Sequence, residues 1–66
     1  MQVYDFTKPE LDVFRELCNF TPDEREYFEL RSQYKSNVEI ALTMNISESK
    51  VSKLARKVKS KILRIL

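Results

Sequence analysis

Residues 36–57, SNVEIALTMNISESKVSKLARK, decide how this chain is read. An apolar stretch from Val38 to Met44 meets a break at Asn45-Ile46-Ser47 and then a stretch carrying Lys50, Lys53, Arg56 and Lys57. Ser36 followed three residues later by Glu39 is a capping box: the hydroxyl accepts from the Glu39 N–H and the carboxylate from the Ser36 N–H. A helix is therefore predicted to open after Ser36 and to end near Met44, and Ser47 caps the helix that follows. A short apolar helix, a tight break and a basic helix are the pattern of a helix-turn-helix, whose second helix lies in the DNA major groove while the first braces it across the backbone.

The same capping device recurs outward from this stretch. Thr7-Lys8-Pro9-Glu10 opens a helix to about Asn19, and Thr21-Pro22-Asp23-Glu24 opens another to about Gln33. Each has proline near the first turn, where its missing N–H costs little. The start at Ser47 keeps the capping serine but has Lys50 where the other three have glutamate. An acid there would favour the helix dipole yet sit close to DNA phosphates; a lysine does the reverse. An ordinary exposed lysine would look the same, and its neighbours decide.

Advancing about 100° per residue along the last helix gathers Val51, Leu54, Ala55, Val58, Ile62, Ile65 and Leu66 into one arc of about 120°, the expected core face. Opposite lie Ser49, Lys53, Arg56, Ser60 and Arg64, flanked by Ser52, Lys57 and Lys50. Short hydroxyls and long cations near the helix start are types able to approach base edges and phosphates. A merely solvated face would carry scattered glutamates, and none occurs from residue 49 to 66. Leu63 projects from the polar side of a tail, KILRIL, that is apolar nearly all round. Such an end either covers the first helix or pairs with a second copy, and Ile62, Leu63 and Leu66 are the residues expected in a homodimer contact. In the first helix, Leu11, Phe14, Leu17 and Cys18 form one face, which makes Cys18 a small buried residue.

Charge follows the same division. The formal total is only +2. Residues 1–35 hold five basic and eight acidic side chains, whereas residues 36–66 hold seven basic and two acidic, so −3 faces +5. A basic segment of that kind can neutralise phosphates and release counterions. At 66 residues the chain is one domain with no room for a deep catalytic pocket. Histidine and glycine are absent and cysteine occurs once, which removes histidine triads, Gly-rich phosphate loops and Cys/His zinc clusters. No catalytic residue, cofactor or metal is expected. The opening twenty residues are broken by Asp5, Lys8, Glu10, Asp12, Arg15 and Glu16, so neither a signal peptide nor a membrane span is read, and the lone thiol fits a reducing cytoplasm.

From Phe20 onward the chain resembles the helix-turn-helix domain of LuxR/GerE-type regulators and the related region-four domain of bacterial sigma factors. Phe20-Thr21-Pro22-Asp23-Glu24-Arg25-Glu26 is similar to the family's opening Leu-Thr and its acid-and-arginine-rich turn, with Tyr27, Phe28 and Leu30 on apolar positions. Ser36-Asn37, Glu39-Ile40-Ala41 and Ile46-Ser47-Glu48 with Val51 match the family's S-N-x-E-I-A and I-S-E-x-x-V at the right separation. The resemblance implies an all-α fold, a compact three- to four-helix bundle containing the helix-turn-helix. Residues 20–66 would be its core, with 1–19 an arm and a first helix. It also implies sequence-selective binding of double-stranded DNA, with transcription as the process affected. Ser49, Ser52 and Lys53 then fall where family members reach base edges or nearby phosphates, and Lys50 where they contact backbone. Arg56 and Lys57 extend that face, and Ser36, Asn37 and Ser47 stand at the two helix starts. Small free-standing domains of this kind are similar to regulators of prophages and conjugative elements. Three positions depart from the family: Tyr34 and Asn45 stand at its glycines, and Leu54 at a polar or basic position. Asn45 tolerates a left-handed backbone, Tyr34 implies a differently built connection, and Leu54 a wider core face.

Two rival readings belong to other classes. The fold could serve protein interaction, holding RNA polymerase or another regulator through Asp12, Glu16, Asp23, Glu24, Glu26 and Glu29, with Glu24→Lys as the telling variant. A ligand-sensing role would need a pocket built from Tyr4, Tyr27 or Tyr34, positions where aromatics more often pack. The segment 1–6, with Val3, Tyr4 and Phe6, fits either an arm across the core or a loose end.

Overall fold

Four hydroxyl side chains, each one residue ahead of a helix, set where the helices begin. The computed structural model describes residues 6–66, and within them the chain forms α1 (Lys8–Leu17), α2 (Pro22–Ser32), α3 (Asn37–Met44) and α4 (Glu48–Ile65). Thr7, Thr21 and Ser36 each accept from the N–H three residues on, and Glu10, Glu24 and Glu39 reach back to the cap's own N–H. At Ser47 only the first half of the device exists: its hydroxyl accepts from the Lys50 N–H at 3.2 Å. All four expected starts stand. Two ends fall short of expectation, at Leu17 rather than Asn19 and at Ser32 rather than Gln33.

A left-handed residue occupies each of the three connections: Asn19 (φ 53°), Tyr34 (φ 67°) and Asn45 (φ 57°). Because the chain has no glycine, residues bearing a Cβ must take this conformation. After α3, the Asn45 N–H donates to the Leu42 carbonyl (3.3 Å) and the Ile46 N–H to that of Ala41 (3.0 Å), the Schellman closure of a helix end. After α2, the Tyr34 N–H donates to Arg31 O (3.0 Å) and the Lys35 N–H to Leu30 O (3.3 Å), the same closure. The expectation that Tyr34 marks a differently built connection is thus corrected: tyrosine is held in the conformation glycine would take.

All three shorter helices pack on α4. The shared core is Leu11, Phe14 and Cys18 of the first segment, Tyr27 and Phe28 of α2, Ile40 and Ala41 of α3, and Val51, Leu54, Val58 and Ile62 of α4. Phe28, Ile40, Val51 and Ile62 are fully buried. Phe6 closes one side, edge-on to Phe14 at 4.8 Å between centroids, and Phe20 lies tilted against Phe28 at 5.0 Å. Among the opening residues, Val3 and Tyr4 lie outside the described part. Leu54 is buried, as the wider core face requires.

The arc on α4 runs out before the helix does. Ile65 and Leu66, expected in the core, are 38% and 69% exposed, and Leu17, expected beside Phe14, is 57% exposed. The last buried residue of α4 is Ile62, and beyond it Leu63, Ile65 and Leu66 are exposed. Among the described residues no helix is long and apolar enough to cross a membrane.

Candidate nucleic-acid interface

α4 begins at a capped end and immediately turns Ser49, Ser52, Lys53 and Arg56 outward, at spacings of three and four residues that keep them on one face. All four are exposed, as are Lys50 and Lys57 on the flank and Ser36, Asn37 and Ser47 at the two helix starts. From Ser49 to Arg56 the face is about 10 Å long at 1.5 Å per residue. A major groove about 12 Å wide accommodates a helix presenting such a face. The three-residue connection Asn45–Ser47 places the start of α3's successor directly behind the end of α3, so both segments are held by one set of buried residues, Ile40, Ala41, Val51 and Leu54.

The cations of α4 differ in what they meet. Among the described residues Lys50, Lys53, Arg56 and Lys57 make no ion pair. Lys61 is bound instead: its Nζ lies 2.5 Å from Glu24 Oε1 and donates to the Asn19 carbonyl at 3.2 Å. The same Glu24 oxygen accepts the Thr21 N–H at 2.9 Å, so one carboxylate both caps α2 and ties it to α4. Burial works to raise the Glu24 carboxyl, but the hydrogen bond from Lys61 and that from Thr21 outweigh it and hold the group below its usual value. Lys35 lies 4.0 Å from Glu39, whose carboxyl is lowered chiefly by the Ser36 N–H.

These contacts correct the acidic surface expected of the first half. Glu24 is only 4% exposed and belongs to the interior, so Glu24→Lys would attack the fold rather than a docking site. Asp12 and Glu29 both engage Arg15, at 2.5 Å each, and that guanidinium stands 5.5 Å over the Phe28 ring. Asp12, Glu16, Asp23 and Glu26 are nonetheless exposed, Asp12 in its ion pair with Arg15. The homodimer expectation is corrected in the same way: Ile62 is fully buried and cannot meet another copy, while Leu63 (55%) and Leu66 (69%) are exposed.

No tyrosine pocket is assembled from the described residues. Tyr27 is buried in the core and Tyr34 is 73% exposed. A surface hollow of about 220 Å³ lies elsewhere, between Leu17, Cys18, Asn19, Lys61, Arg64 and Ile65. Cys18 there is buried, and burial pushes its thiol up, away from the reactive thiolate. The Glu24–Lys61 link escaped sequence reading because its partners lie 37 positions apart and Glu24 already had a capping role.

No family model, curated protein or solved structure matches this chain.

Proposed function

We propose that this protein is a sequence-selective duplex-DNA-binding transcription regulator or sigma-like accessory factor, with α3 and α4 acting as a helix-turn-helix. The observation carrying the reading is the first half of α4: four exposed cations without ion pairs among the described residues, interleaved with Ser49 and Ser52 on one face. Lys50, Lys53 and Lys57 would neutralise phosphates, while Ser49, Ser52 and Arg56 would approach base edges. Ser36 and Ser47 spend their hydroxyls on helix caps, which leaves Asn37 as the side chain of α3 for the DNA backbone. The likeness to LuxR/GerE-type and sigma region-four domains supports the same assignment, with the cytoplasm and its nucleoid as the place of action. Docking on RNA polymerase is the competing reading, and the burial of Glu24 removes one of the six acids it relied on.

Fluorescence anisotropy with random duplex and with fragments from the protein's own locus tests this, alongside Lys53→Ala/Arg56→Ala. With three phosphate contacts the logarithmic salt slope is about −2.7, so affinity should fall roughly 40-fold between about 50 and 200 mM salt. The double variant should keep its thermal midpoint, bind at least about tenfold more weakly and lose about one unit of salt slope, that of Lys53. Unchanged binding by that variant, or no binding to any duplex by the wild type, would sink the proposal.

A further inference from the structure

The basic face of α4 does not stop at Lys57. The helix has 18 residues and is about 27 Å long at 1.5 Å per residue, more than twice the width of a major groove, about 12 Å. Eleven residues make three helical turns and about 20°, so a side chain and the one eleven places on point nearly the same way. Ser60 stands eleven residues after Ser49, and Arg64 eleven after Lys53. A hydroxyl and a cation of the candidate interface are thus repeated on the same line of the helix, about 16.5 Å further along. Ser60 and Arg64 are both exposed, and Arg64 makes no ion pair among the described residues. Lys61, at the same end of α4, spends its charge inside the protein on Glu24. Arg64 does not, and the hollow it borders is lined by no acidic side chain.

We propose that α4 reaches across the groove, with Arg64 holding a phosphate of the backbone strand on its far side and the Ser60 hydroxyl as a second donor. This rests on the duplex-binding reading above and extends the contact from the first half of α4 to its end. With its first turns in a groove about 12 Å wide, a helix about 27 Å long outruns the groove before it ends, and its last turns come level with the strand that borders it. The planar guanidinium fork meets a phosphate with two parallel N–H donors. Ser60 lies four residues before Arg64, on the same face, so both donors are available to one stretch of backbone. Leu63 points about 100° away from Arg64 and does not interrupt this line.

Arg64→Ala and Lys59→Ala in the full chain separate a contact from a general attraction, read by anisotropy with random and promoter duplexes over a salt series and by thermal midpoint. Lys59 is an exposed cation of the same helix half, but it points about 140° away from Arg64. Arg64→Ala should bind about fivefold more weakly and lose about one unit of salt slope, the share that Arg64 adds to that of Lys50, Lys53 and Lys57. The loss should be equal for random and promoter duplexes, because a phosphate contact carries no sequence information. Lys59→Ala should keep the wild-type slope, and both variants should keep the midpoint within about 2 °C, since neither side chain is buried. A wild-type slope in Arg64→Ala, or equal losses in the two variants, overturns the contact across the groove. If Lys53→Ala/Arg56→Ala weakens binding in that same series, only the Arg64 assignment falls; if the wild type binds no duplex, both readings fall together.

Discussion

The two halves of α4 carry similar residues and use them in opposite ways. In the first half Lys53 and its neighbours reach solvent without an acid to meet among the described residues; in the second, two turns on, Lys61 is locked to Glu24 and the Asn19 carbonyl. The chain has acids enough to neutralise a basic helix, and it directs one of them, from α2, to the position where the helix is anchored. The cations are thus divided between exposure and anchoring along one continuous helix, whose first half is held to α3 by the buried Val51 and Leu54.

The largest effect expected from breaking this contrast lies at Ile62. Ile62→Ala removes a fully buried side chain and should cost about 3 kcal/mol, whereas Leu63→Ala, one residue on and exposed, should stay within about 0.5 kcal/mol. Urea unfolding of the pair measures both, and similar values for the two would show that the tail packs on the body after all. Glu24→Gln is next: glutamine still caps α2, so the variant isolates the tie to Lys61. A cost of about 2 kcal/mol is expected, below the usual 3 to 5 for a broken buried pair because the Lys61 side chain is 26% exposed. Duplex affinity should change little while the protein remains folded, since Glu24 lies away from the exposed cations.

The smallest effect is that of pH. Glu24, Glu10 and Glu39 are all held below the ordinary carboxyl value of 4.5, Glu24 against its own burial and the other two by the N–H groups of Thr7 and Ser36. A depressed folded-state pKa stabilises the protein above the unfolded value and is lost as pH falls through the folded one. The thermal midpoint should therefore hold down to about pH 5 and decline below it, more steeply in wild type than in Glu24→Gln. Equal declines would show that the caps at Glu10 and Glu39 carry the whole acid response.

The helix starts were legible because a capping box is complete within four residues and needs no knowledge of the fold. Ends were less so: α1 and α2 stop where a non-glycine residue turns left-handed, and nothing in Asn19 or Tyr34 announces that as glycine would. The core face of α4 was legible as a direction through Ile62. Periodicity says which way Ile65, Leu66 and Leu17 point, but not whether another element is there to receive them. The exposed residues of the candidate interface followed from the same periodicity. The pairing of Glu24 with Lys61 did not, because two charges far apart in the chain meet only through the packing of α2 on α4.

The absence of glycine has a consequence for the unfolded chain as much as for the connections. Glycine enlarges the set of conformations a chain surrenders on folding, and replacing one with alanine at a compatible site is worth about 0.4 to 1 kcal/mol. A 66-residue chain buries too little surface to offset much disorder. By building the left-handed positions of its three helix connections from two asparagines and a tyrosine, this protein keeps its disordered ensemble narrow, and part of its stability is made before any helix has formed.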